Sequence, residues 1–158
     1  MIKYQPEKDK RSSYLSLILL IGGLVIFMLS GSFKLAPFVT QLVAIALIVL
    51  SVQIMQRYVL SEYIYIIDDK DNGESLFSVI RTQGKKSTTV CCVSLNECIY
   101  AGPADKFDEK LNNSFDYRQN VFEEKKLAIV YRDGNDNIMI KLELDDYTRE
   151  CIVSRITQ

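Results

Sequence analysis

Two stretches decide the class of this chain: YLSLILLIGGLVIFMLSGSF (Tyr14–Phe33) and LAPFVTQLVAIALIVLSVQIM (Leu35–Met55), with only Lys34 between them. They contain 20 and 21 residues and no charge. Because an α-helix rises 1.5 Å per residue, each would be about 30 Å long, the thickness of a bilayer's hydrocarbon core. A chain of 158 residues is too small to bury two helices that are apolar on every side. We therefore expect a transmembrane helical hairpin with spans at about residues 14–33 and 36–56.

Basic residues flank the hairpin at its two outer ends. The membrane-orienting charges are Lys8, Lys10 and Arg11 before the first span and Arg57 after the second. The connecting turn, residues 33–37, has only Lys34. Cytoplasmic flanks of membrane spans retain Lys and Arg. The pattern predicts a multi-pass protein of the cell membrane with both termini in the cytoplasm. Neither span contains a charged residue, so a transporter or channel is disfavoured.

The rest of the chain is acidic. Residues 59–158 contain 13 Lys/Arg and 18 Asp/Glu. Nucleic acid is disfavoured as a partner, because phosphate binding needs a basic face. The four cysteines all lie in this part, on the expected cytoplasmic side, where thiols stay reduced.

The residues that usually carry catalysis are scarce. The chain has no histidine, which excludes His-based triads and His metal sites. Its adjacent aspartates, Asp68–Asp69 and Asp145–Asp146, are more typical of turns and helix starts than of a catalytic pair. Cys91 and Cys92 would point to opposite faces of a strand, and no CxxC spacing occurs. We expect no enzyme activity, no metal and no cofactor; a zinc site, a redox pair and a membrane enzyme are minor alternatives.

Beyond Arg57 the pattern changes to short β-like runs separated by turn signals. The predicted strands are YVLSEYIYII (58–67), LFSVIRTQ (76–83), STTVCCV (87–93), ECIYAG, SFDYRQNVF, KKLAIVYRD and NIMIKLEL. Asn72–Gly73, Gly84–Lys86 and Asp133–Asp136 are turn signals between them. DDYTRECIVSRI (Asp145–Ile156) predicts a C-terminal helix whose apolar face contains Tyr147, Cys151, Ile152 and Ile156. The soluble part should be a β-rich α+β domain: a bent six- to seven-stranded antiparallel sheet or small barrel capped by that helix.

This order of elements resembles the bacterial pleckstrin-homology-like (PH-like) membrane proteins. The likeness is carried by RYVLSEYIYII, by FSVIRTQGKKSTTVCCVSLNECI and by the closing NIMIKLELDDYTRECIVSRI. The resemblance covers residues 57–158 and implies a strongly bent sheet closed by one C-terminal helix, often anchored by a transmembrane hairpin. Together with the residue pattern before it, the expected layout is a polar cytoplasmic arm (1–12), the transmembrane hairpin (13–56) and a cytoplasmic PH-like domain (57–158).

The function expected from this layout is display of a binding domain at the membrane. The leading hypothesis is protein interaction or assembly, with a partner peptide added to a sheet edge; self-association is left open. The alternative is a sensor of lipids or small ligands. Phosphoinositide-binding members of the wider fold carry Lys and Arg in the first inter-strand loop, whereas the matching loop here, Asp68–Glu74, is acidic. The candidate contacts for a headgroup or a partner are therefore Arg81, Lys85 and Lys86, unless the lysines only keep a hairpin tip soluble.

Overall fold

The chain forms two compact units. The computed structural model describes residues 1–32, 37–71, 73–122 and 126–156. One unit is helical and contains Lys8–Ser61. The other combines Met1–Glu7 with Glu62–Gln158 and carries the β-sheets.

The helical unit consists of two long helices. Helix α1 is Lys10–Leu29, followed by a 3-10 turn at Ser30–Ser32. Helix α2 is Pro37–Ile54 and continues into a π-helical turn, Met55–Val59. α1 begins earlier than the predicted span because Asp9 caps it: the Asp9 side chain accepts a hydrogen bond from the Arg11 amide at 2.9 Å. Residues 33–36 of the expected turn lie outside the described residues.

Both helices are long and apolar enough to span a membrane. Only 17% and 11% of their apolar windows are buried, whereas a core helix of a soluble protein would be mostly buried. Large side chains point outwards: Met28 is 83% and Phe38 is 69% exposed. The buried residues of α1 are small, namely Ser12, Ser16 and Gly23. Small residues inside and large apolar residues outside are typical of helix pairs in lipid.

The contact between the two helices is close. The Ser51 hydroxyl donates to the Ser16 carbonyl at 2.6 Å. A Cβ atom on Gly23 would lie 2.8 Å from Cγ1 of Ile48 and 3.1 Å from the carbonyl oxygen of Ala44. The absence of a side chain at this position therefore sets how near the helices approach.

The strands of the second unit form two four-stranded sheets. The first contains β1 (Ile2–Tyr4), β2 (Ser61–Asp69), β3 (Ser75–Gln83) and β4 (Lys86–Ser94), in that order. The second contains β5 (Cys98–Gly102), β6 (Asn113–Asp116), β7 (Lys126–Asp133) and β8 (Asp136–Glu143), in the order β5-β7-β8-β6. β6 is parallel to β8, and β7 is antiparallel to both of its neighbours. Helix α3, Asp146–Ile156, follows.

The prediction of one bent sheet of six or seven strands is therefore wrong in form. The described strands make two separate sheets and close no barrel. The 3-10 turn Leu95–Glu97 separates β4 from β5, and β5 pairs with β7 in the second sheet. The strictly antiparallel prediction also fails, because β6 returns parallel to β8. The α+β class and the C-terminal helix are confirmed.

The N-terminal arm differs from its prediction too. Residues 1–12 were expected to be one polar arm, but Ile2–Tyr4 forms β1 and pairs with β2. Tyr4 lies opposite Tyr65, and their rings stack with centroids 6.2 Å apart. Three residues are too few to show the period-two pattern of a strand, so only the partner strand reveals this one.

The main core lies between the two sheets and α3. β2 alternates strictly, with Tyr63, Tyr65 and Ile67 buried. The other members of the core include Phe77, Val79, Leu127, Ile129, Ile140, Leu142 and Ile152. A smaller cluster lies on the opposite face of the second sheet, where the 104–111 segment covers Ala128, Val130 and Met139. The second sheet is therefore apolar on both faces.

Helix α3 packs with three of the four residues of its predicted apolar face: Ile152 is buried, and Cys151 and Ile156 are partly buried against the core. Asp145 caps it by accepting from the Thr148 amide at 3.0 Å, as one of the two predicted caps. The buried residues are Thr148 and Ile152, four positions apart, whereas Tyr147 is 64% exposed. Tyr147 was expected on the apolar face, but the buried residue in this turn of the helix is Thr148.

The C-terminal turn of α3 is tied to the end of β2. The Arg155 guanidinium donates to both carboxylate oxygens of Asp69, at 2.9 and 2.8 Å, and to the Cys151 carbonyl at 2.8 Å. These hydrogen bonds from Arg155 hold the pKa of the Asp69 carboxyl well below its usual range. One acid of the acidic loop thus has a structural partner.

Candidate functional site: the basic hairpin

Positive charge is concentrated in one hairpin of this acidic unit. From Ser75 to Asn96 the sequence contains Arg81, Lys85 and Lys86 and no acidic residue. These cations lie in the distal half of the hairpin formed by β3 and β4. We call residues 81–90 the basic hairpin.

The turn of the basic hairpin is tight and exposed. Gln83 pairs with Lys86 across it, and Gly84 has φ +60°, a conformation that side chains rarely adopt. Residues 83–89 are all exposed. The tip therefore meets solvent on both faces of its strands.

A β-bulge separates this exposed part from the buried part of β4. Val79 pairs with Cys91, but Ile80 pairs with Thr89, so Val90 is an extra residue in β4. The Tyr117 hydroxyl donates to the Val90 carbonyl at 3.2 Å. The bulge carbonyl is thus already engaged.

The two faces of the basic hairpin differ in chemistry. Five residues line a shallow depression of about 260 Å³ on one face: Arg81, Gln83, Lys86, Thr88 and Val90. On the other face the hydroxyls of Thr82 and Ser87 are 3.0 Å apart. One face therefore presents cations and amide or hydroxyl groups, and the other presents neutral hydroxyls.

The structure brings together two of the three predicted contact residues. Arg81 and Lys86 line the same depression, whereas Lys85 lies at the turn, outside it. Sequence analysis missed Gln83 and Thr88. The cross-strand register, in which Arg81 faces Thr88 and Gln83 faces Lys86, is the signal that groups them.

The residues predicted to orient the chain in a membrane lie at the two ends of the helical unit. Lys8 donates from Nζ to the Val59 carbonyl at 2.9 Å, which joins the two chain ends of this unit. Lys10 is the first residue of α1. The Arg57 guanidinium lies 5.0 Å from the ring centroid of Tyr58, a cation–π arrangement.

The acidic loop between β2 and β3 is only partly described, because Asn72 of the predicted turn lies outside the described residues. Lys70 approaches Glu74 at 3.7 Å. Together with the bonds of Asp69 to Arg155, this pair shows the loop's charges interacting within the unit.

The buried carboxylate of Glu143 binds residues 119 and 120. Glu143 was not among the residues predicted from the sequence. Glu143 is 5% exposed. It accepts from the backbone amides of Gln119 and Asn120 at 3.1 and 2.9 Å, and from the Asn120 side chain at 2.7 Å. Asn120 also donates to the Glu7 carbonyl at 2.7 Å. Two of its three hydrogen bonds come from backbone amides. The role of Glu143 is therefore structural: its carboxylate holds residues 119 and 120 against β8.

The four cysteines are free. Burial, with a smaller contribution from neighbouring Cys92, raises the pKa of the Cys91 thiol to about 11. Burial likewise raises the pKa of Cys98 to about 12. Cys92 is exposed, and the Ser78 hydroxyl donates to its sulfur at 3.4 Å. Among the described residues no three His, Cys, Asp or Glu side chains are grouped to hold a metal ion.

The thiols should differ strongly in reactivity. At pH 8 a maleimide should modify Cys92 at least about tenfold faster than Cys91 or Cys98, because the thiolate is the nucleophile. The rates of Cys91 and Cys98, whose pKa values are raised, should rise about tenfold per pH unit up to pH 10. Single-cysteine variants followed by mass spectrometry give the rates, with urea-unfolded protein as the control. Equal rates for the three folded variants would contradict the raised pKa values of Cys91 and Cys98.

The chain was compared with protein-family models, with curated proteins and with solved structures, and no match was found in any of the three.

Proposed function

We propose that this protein is a membrane-anchored binding module, in which the helical hairpin anchors a cytoplasmic PH-like domain that recognises a protein partner. Its action is binding and assembly, without catalysis. Two packed sheets followed by one C-terminal helix support the PH-like assignment of residues 57–158. The basic hairpin is the proposed contact surface.

Chain topology supports a common side for the two ends of the anchor. β1 precedes α1, β2 follows α2, and β1 and β2 pair in one sheet. A membrane cannot divide a paired sheet, so the start of α1 and the end of α2 belong on the same side. The flanking cations Lys8, Lys10, Arg11 and Arg57 favour the cytoplasm as that side.

The observation that carries the proposal is the exposure of the basic hairpin in an acidic unit. Residues 83–89 are exposed on a hairpin that extends past the buried Phe77 and Val79. No acidic residue occurs between Ser75 and Asn96, where Arg81, Lys85 and Lys86 lie, and a local excess of positive charge favours encounter with an oppositely charged partner.

A lipid-headgroup sensor is the second candidate. Arg81, Lys86 and the Thr88 hydroxyl line the same depression, and two cations with a hydroxyl suit a phosphate group. The two candidates predict different molecules bound at the hairpin in a cell membrane. The first predicts a protein, and the second predicts a lipid.

A photo-crosslinking amino acid at Thr88 tests the function in the full-length, membrane-inserted protein. We expect protein adducts at position 88 that disappear in the Lys85→Glu plus Lys86→Glu variant. The same probe at Lys110, an exposed position outside the hairpin, is the control and should give different or no adducts. Adducts with lipid alone at position 88, or none with protein including a second copy of the chain, would refute the protein-binding function.

A further inference from the structure

β4 is an edge strand, and no described strand pairs with its outer row of backbone groups. It is the terminal strand of its sheet and pairs with β3 alone among the described strands. In antiparallel pairing, alternate residues direct both N–H and C=O to the same neighbour. Of the four residues Lys86–Thr89, two therefore direct both groups away from β3. Such a row is a template for an added strand.

The outer row has a defined end. Val90 is the bulged residue, and its carbonyl accepts from the Tyr117 hydroxyl. On the other side of the bulge, β4 enters the core with Val93 buried. An added strand would thus be confined to Lys86–Thr89, where all four residues are exposed.

The charges of the hairpin select the chemistry of the added strand. The side chains of a strand alternate between its two faces. On one face an incoming strand would lie beside Lys86 and Thr88, with Arg81 and Gln83 behind them in β3. On the other face it would meet Ser87 and Thr89, which are exposed and neutral.

We propose that the β4 edge binds an extended segment of a partner protein that carries carboxylates at alternating positions, a deepening that rests on the proposed function. The carboxylates lie on the face of Arg81 and Lys86, and neutral β-branched or hydroxyl residues lie on the face of Ser87 and Thr89. Hydrogen bonds to the outer backbone groups of β4 fix the register of the added strand, and the cations select for its carboxylates. A lipid headgroup would use the cations but leave the backbone row unpaired, so the peptide accounts for more of the site.

The test uses the full-length chain in nanodiscs of neutral lipid and a fluorescent peptide, Thr-Glu-Val-Glu-Thr-Glu-Val, followed by anisotropy. Lys85→Glu plus Lys86→Glu should weaken binding about tenfold or more, because like charges then face each other. Lys106→Glu plus Lys110→Glu makes the same change in net charge at exposed positions outside the hairpin and should leave binding within about twofold.

Two N-methylated peptides separate strand addition from simple charge attraction. N-methylation of one alternate set of residues blocks the amides on one edge of an extended peptide, and methylation of the other set blocks the opposite edge. One methylated peptide should lose binding, and the other should retain it. If both bind like the parent peptide, strand addition is wrong although a protein partner for the hairpin remains.

The remaining outcomes separate this inference from the proposed function. Absent peptide binding combined with protein adducts at Thr88 in cells would refute the acidic partner while the protein-binding function stands. A short-chain anionic phospholipid that binds in place of the peptide, and does so only with Lys85 and Lys86 intact, would overturn both.

Discussion

Glu143→Ala should lower the free energy of unfolding of the β unit by about 3–5 kcal/mol. The Glu143 carboxylate accepts from two backbone amides, of Gln119 and Asn120, and from the Asn120 side chain. Alanine would leave these buried donors without their acceptor, and each unsatisfied group costs about 1–3 kcal/mol. In mild detergent the thermal midpoint of the β-sheet circular dichroism signal should fall by more than about 10 °C.

Two further variants calibrate that result. Glu143→Gln keeps the shape of the side chain but replaces one acceptor oxygen with a donor NH2 group. Its free energy of unfolding should therefore lie between those of the wild type and of Glu143→Ala. Glu97→Ala removes an exposed carboxylate and should shift the midpoint by no more than about 2 °C. If Glu143→Ala has the same thermal midpoint as Glu97→Ala, the structural role of Glu143 is refuted.

Gly23→Leu should disrupt the packing of the two long apolar helices, α1 and α2. Even its Cβ would lie 2.8 Å from the Ile48 side chain and 3.1 Å from the Ala44 carbonyl. The helices would have to separate, and overpacking of this kind costs about 1–3 kcal/mol. Separation would also lengthen the hydrogen bond from Ser51 to Ser16, which is now 2.6 Å.

The neighbouring glycine provides a matched control. A Cβ on Gly22 meets nothing within 4 Å, so Gly22→Leu adds the same mass to the same helix without a clash. Disulfide formation between cysteines placed at Ser16 and Ser51, in a background without the native cysteines, reports the helix contact. It should be rapid with Gly22→Leu and at least about fivefold slower with Gly23→Leu. Equal rates would show that Gly23 does not set the approach of the helices.

The helices and most strands were predictable because their patterns are long. Two uncharged runs of 20 and 21 residues predict helices, because in lipid a helix satisfies all the backbone hydrogen bonds of a single segment. The β3–β4 and β7–β8 hairpins have glycine at their turns, with Gly84 and Gly134 at positive φ, and this chemistry is visible in the sequence. The capping role of Asp145 was likewise visible.

The missed features depend on contacts between distant parts of the chain. β1 is three residues long and exists through pairing with β2, and the parallel pairing of β6 with β8 has no local signature. Nothing in the sequence distinguishes Glu143 from a surface acid, and its hydrogen bond from Asn120 is seen only in the structure. The division into two sheets arises where β4 gives way to β5, a choice that tertiary packing makes rather than local propensity.

The pairing of β1 with β2 also has a kinetic consequence. Ile2 pairs with Ile67, so in sequence this is a contact whose closure carries a large entropy cost. The bond from Lys8 to the Val59 carbonyl shows that the folded helical hairpin already brings its two chain ends together. Once the helices have paired, the distant strands become neighbours with a high effective concentration, as in a tethered ligand. Pairing of the two helices would then act as the nucleation step for the N-terminal edge of the sheet, which makes β1 pairing a late event and a reporter of a correctly paired helical hairpin.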